Sequence, residues 1–118
     1  MAWLNGKHLI WLASAVLLTC TLLHTQAWSK NQSMFAPSTS RVVALLWFLL
    51  AIDWAVLAAL WVLGANFGAP ARPLLLISAV VPSAVAIGLV ITFGPGFYPI
   101  YLQLAAVVLL LVGTLRLA

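Results

Sequence analysis

The chain has 118 residues, of which 66% are hydrophobic and 5% are charged. A soluble domain carries roughly a quarter of its residues as charged groups, so water cannot be the main solvent of this surface. The formal charge of +4 comes from five cations scattered singly between apolar runs, with Asp53 as the only acid. This excludes a clustered basic face interleaved with aromatics, as nucleic-acid binding requires, and it excludes paired-carboxylate catalysis.

Length allows one domain. A helix needs about 20 residues to cross about 30 Å of hydrocarbon at 1.5 Å per residue, and it satisfies its own backbone on the way. Four runs of that size predict an all-α membrane protein, with four transmembrane helices in an antiparallel up-down bundle. The first covers 9–27 and is flanked by Trp3, Trp11 and Trp28. It holds the lone cysteine, Cys20, which cannot form an internal disulfide or a thiolate zinc site. Thr19 before Cys20 is a poor cleavage residue, and "HTQAWS" lacks a clean small-x-small site, so neither a lipoprotein signal nor a cleaved signal peptide is expected. His8 and His24 lie at opposite ends of this helix, about 24 Å apart, and cannot share a metal ion. No metal site or cofactor is expected.

The connection "HTQAWSKNQSMFAPSTS" is the only polar segment of any size, and Ser38 or Ser40 is a good N-cap for the second span, 42–63. The third span, 73–93, opens on a proline, which a first helical turn tolerates. "FGPGF" is too short for anything but a tight hairpin into the fourth, 97–117. In this arrangement Lys7, Arg72 and Arg116 fall on one side and Lys30 and Arg41 on the other. The positive-inside rule then places both termini in the cytoplasm.

The second span carries the most pattern. Trp47, Trp54 and Trp61 recur every seventh residue and so lie within about 40° of one another, with Ala51 and Ala58 beside them. This Trp/Ala face is a candidate surface for a flat or elongated apolar ligand, or for a helix of another subunit. Trp47 and Trp61, about 21 Å apart along the axis, suit the two membrane interfaces, where tryptophan is enriched. Trp54 falls between them, near the midplane. Asp53 points roughly 100–120° away from the tryptophans. An acid at that depth is costly and functional by default, so polar partners are sought at similar depth. Ser83, Ser78 and Gln103 qualify. Pro82 leaves the carbonyl of Ser78 without its helical donor, and a protonated Asp53 would supply one. The expected cluster is Asp53, Ser78, Ser83 and Gln103. It would set helix register, handle protons, or leave Asp53 to pair with a cation on a partner subunit.

In size and span count the chain resembles the small multidrug resistance transporters. Their essential carboxylate lies in the first helix, where this chain has no acid. A histidine ending the first helix ("LLHTQAWSK"), a tryptophan-bearing second helix after an arginine ("RVVALLWFLLAIDW") and a proline–aromatic start to a leucine-rich last helix ("FYPIYLQLAAVVLLLVG") are similar to small uncharacterised four-span bacterial membrane proteins. That resemblance implies a bacterial inner membrane and no particular activity. The expected function is non-catalytic, as a subunit of a membrane complex or homo-oligomer, or as a binder of a lipid-like ligand in the bilayer. The alternative is a small proton-coupled transporter or channel using Asp53.

Overall fold

A computed structural model describes residues 4–118; Trp3, expected to flank the first span, lies outside them. The described residues are all helix and turn. Helix α1 spans Gly6–Asn31, and its first turn is capped by the Asn5 side chain, which accepts the His8 N–H at 3.0 Å. A single 3-10 turn, Gln32–Met34, leads to α2, Pro37–Phe67. A second 3-10 turn, Ala69–Ala71, precedes α3, Arg72–Ser78, and α4, Val80–Phe93, follows at once. Helix α5 is Pro99–Leu115.

The polar connection after the first span is much shorter than its composition suggests. Thr25, Ser29 and Asn31 turn their side chains back onto the carbonyls of Thr21, Gln26 and Ala27 at 2.8–2.9 Å. Polar side chains therefore hydrogen-bond within the helix instead of ending it, and α1 continues to Asn31. Helix α2 then starts at Pro37, whose fixed φ suits a first helical position. Its N-cap is Ala36, where Ser38 or Ser40 was expected.

The expectation of four membrane-spanning helices is corrected. Three helical stretches are long and apolar enough to cross a membrane: Gly6–Met34, Pro37–Phe67 and Ala69–Phe93, of 29, 31 and 25 residues. The fourth run loses its ends to turns, because the helix begins only at Pro99 and stops at Leu115. Its 17 residues reach about 26 Å, short of the hydrocarbon thickness. Much of the apolar character of α5 serves the core instead, with Ile100, Ala106, Val107 and Leu110 buried. An all-helical chain with this apolar surface is consistent with a small integral membrane protein.

Helix α1 packs on both α2 and α5, and α5 also touches α3 and α4. On α1 the buried positions are Gly6, Leu9, Ile10, Ala13, Ser14, Leu17 and Cys20, one stripe at helical spacing. On α2 they are Ala51, Trp54, Ala58, Trp61, Gly64 and Ala65, large and small mixed along one seam. The first helix meets α5 most closely at its start. A Cβ on Gly6 would fall on the Gly113 carbonyl oxygen, and one on Gly113 would lie 2.8 Å from the Ile10 side chain and 2.9 Å from the Gly6 oxygen. Backbones that touch leave no room for a side chain. Gly113→Val is therefore expected to destabilise the bundle by about 1–3 kcal/mol, read as a lower unfolding midpoint in detergent micelles. Gly88→Val, where a Cβ meets nothing within 4 Å, is the matched control.

The third stretch is bent. Pro82 has no N–H to give Ser78, and the helix breaks between Ser78 and Val80. Before the break, α3 rests on α2 and α5; after it, α4 packs chiefly on α5. The upper half of the bundle, towards the α4–α5 turn, is consequently open between α4 and the α1–α2 pair. At the opposite end, Arg72 donates to the Leu117 carbonyl and the Ala69 N–H donates to the Ala118 carbonyl at 3.0 Å. That end is closed.

Candidate functional site

The opening left by the bend is a partly enclosed cavity of about 300 Å³. Helix α1 contributes Cys20, Leu23, His24 and Ala27 to its wall, and α2 contributes Trp47, Leu50 and Trp54. The far side is Val85, Leu89 and Phe93 of α4, with Phe97, Tyr98 and Leu102 around the following turn. The lining is overwhelmingly apolar and aromatic, with a few polar groups at its edge, the usual composition of a pocket for a small apolar molecule.

His24 organises the α1–α2 wall. Its ring stacks on Trp47, with centroids 4.4 Å apart and planes 9° from parallel, and meets Trp54 edge-on at 5.1 Å. The Nε2 of His24 lies 3.1 Å from the Trp47 carbonyl oxygen, and the Trp47 indole N–H donates to the His24 carbonyl at 2.7 Å. A carbonyl only accepts, so Nε2 carries the proton and, in the neutral ring, Nδ1 is the acceptor. The two reciprocal bonds clasp α1 to α2 beside the cavity. Trp28 extends the aromatic patch, with its ring 5.6 Å from Trp47 and 6.0 Å from Phe35.

The tryptophans of α2 are distributed differently from a pair of interfacial belts. Trp61 is fully buried, and its N–H donates to the Ser78 hydroxyl at 2.8 Å. It packs inside the bundle, where an interfacial position was expected. Trp54 is 3% exposed and its indole nitrogen has no hydrogen-bond partner, although the residue lines the cavity. Trp47 is half-buried at the clasp. The face they share with Ala51 and Ala58 is thus turned inward, and only its Trp47–Trp54 end borders open space.

The four residues of the expected polar cluster are dispersed. Asp53 is exposed on the outer side of α2. Ser78 accepts from Trp61 and donates to the Leu75 carbonyl at 2.7 Å, while Ser83 donates to the Ala79 carbonyl at 2.7 Å. Gln103 is completely buried on α5, with neither side-chain polar atom paired. The structure joins Ser78 to a tryptophan instead of the acid.

The sequence reading places His24 at the end of the first span and does not pair it with Trp47. The pattern that carries it is simple: in a hairpin with a short turn, residues seven before Asn31 and ten after Pro37 come to similar depth. Among the described residues, no group of three His, Cys, Asp or Glu side chains gathers to hold a metal ion. Comparison with known proteins found no matching family model, no matching curated protein and no matching solved structure.

Proposed function

We propose that this chain is a non-catalytic membrane protein that binds a lipid-like molecule in the cavity between α1, α2 and α4. The observation that carries the reading is the cavity itself: about 300 Å³, apolar, and held open by a proline break. That volume is at the lower end of ligand pockets, and it suits a segment of an acyl or isoprenoid chain. The Trp47 ring and the edge of the Trp54 ring offer apolar aromatic contact. The cavity wall holds no acid, and its histidine is engaged in the clasp, so the ligand is held and not transformed. Asp53 is exposed about 100° around α2 from Trp54 and is not part of the cavity wall, which does not favour a proton path through the cavity.

A fluorescent anthroyloxy fatty acid tests this reading. Added to the purified chain in micelles, it should give a saturable rise in emission, approaching one probe per chain, and excess unlabelled fatty acid should reverse it. A linear, non-saturating rise equal to that in empty micelles would overturn the proposal.

A further inference from the structure

The outer side of α2 carries a second pattern, independent of the cavity. Leu46, Leu49, Asp53, Val56, Leu60 and Leu63 alternate at spacings of three and four, and every one of them is exposed. This is the a/d seam of a heptad repeat, the pattern by which one helix packs knobs into the holes of another. It lies about 120° around the helix from the buried Trp54 and Trp61, so α2 has one seam filled by its own bundle and one facing outward. Asp53 is the seventeenth of the 31 residues of α2, placing it at the centre of the outward seam and near the midplane of a spanning helix.

An exposed aliphatic seam alone would fit acyl chains. The acid changes that. In hydrocarbon a carboxylate is tolerated when it faces the bundle interior, a water-filled space or a partner of opposite charge, and Asp53 faces neither the interior nor the cavity. No cation of this chain matches its depth. Lys7 sits at the start of α1 over the Trp11 ring, Lys30 is in the last turn of α1, Arg41 is near the start of α2, and Arg72 is at the start of α3. Arg116 follows α5. A second copy laid along the seam would therefore set Asp53 against Asp53, a like-charge pair, with no cation to answer either. Charge complementarity selects a different helix.

We propose that the Leu46–Leu63 face of α2 docks a transmembrane helix of another protein, one carrying a lysine or arginine opposite Asp53. The aliphatic residues supply packing, and the ion pair fixes register and partner choice, as a single polar a-position does in a coiled coil. The inference rests on α2 spanning the membrane and does not depend on a ligand in the cavity.

The test uses the full chain in phosphatidylcholine vesicles, its own tryptophans as donors, and dansyl-labelled polyleucine peptides as acceptors. A peptide with one central lysine should associate at least tenfold more tightly than an all-leucine peptide or one with the lysine moved seven residues along. Asp53→Leu should erase that preference, and Leu60→Trp, which spoils the seam while keeping the acid, should weaken it. Val85→Trp, which acts on the cavity, should leave it unchanged. Equal association of the central-lysine and all-leucine peptides would overturn the proposal. So would efficient cross-linking of two copies through Val56→Cys in a Cys20→Ala background that keeps Asp53, which would give the face to a second copy of this chain.

Discussion

Replacing Trp61 by alanine is expected to destabilise the protein by about 3–5 kcal/mol, the range for removing a large buried aromatic. The ring is wholly enclosed within a core that also holds Trp54, Ala58 and Leu75, and its N–H is bonded to Ser78. Deleting it opens a void between α2 and α3 at the point where α3 rests on its neighbours, just before the bend. Lipid cannot refill such a void without separating the helices, so lost dispersion contacts dominate the cost. Trp61→Phe keeps most of the ring and removes the donor, and should cost about 1 kcal/mol, the typical worth of one hydrogen bond. Leu60→Ala, one residue away on the exposed side, should change stability by no more than about 0.5 kcal/mol. Unfolding of the three variants by sodium dodecyl sulfate in mixed micelles gives the ranking. A Trp61→Ala midpoint equal to that of Leu60→Ala would refute the inward placement of this face.

The contrast between Trp61 and Leu60 also marks the limit of what could be read from the residues. Apolar runs located the spanning stretches well, because backbone in hydrocarbon has few options other than helix. The heptad spacing of the α2 tryptophans was equally visible, yet its direction was not. In a soluble helix the apolar stripe faces the core; in α2 both the Trp54–Trp61 seam and the Leu46–Leu63 seam are apolar, since lipid is as apolar as a protein interior. Periodicity found two faces and could not tell which one was inside.

The fourth run failed for a related reason. Phe97 and Tyr98 extend its apolar length but belong to the turn, and Ile100, Ala106 and Leu110 are apolar because they are buried within the bundle. A run of hydrophobic residues does not distinguish a buried helix from a span when its ends are uncertain by a few positions. The polar cluster failed at a different level. Position along the chain puts Asp53 near the centre of α2, but a carboxylate also needs an azimuth. On α2 the azimuth of Asp53 follows from burying Trp54 beside it, a fact of packing that composition does not contain. Pro82 predicts only a free Ser78 carbonyl within one span, 73–93, and the bend at Ala79 is a finding of the structure. Its consequence, the splaying of α4 and the opening of the cavity, required the neighbours of α3 and α4 to be known.

The bend and the cavity are the centre of the account, and Val85 is the residue through which to test them. Its side chain lies on α4 past the break, half-buried, in the wall opposite Leu50 and Trp54. An indole there projects into space that a ligand chain would occupy. Val85→Trp should therefore abolish retention of a lipid-like molecule while leaving the fold intact. Val80→Trp, on the exposed side of α4, introduces the same ring outside the cavity and serves as the control. The decisive measurement is the number of lipid-like molecules retained per chain after purification in mild detergent, by native mass spectrometry with release and identification of the bound species. About one per chain is expected in the unaltered protein and in Val80→Trp, as for a single-site pocket, and none in a folded Val85→Trp. Equal retention in all three, or no retained molecule in any, would contradict it.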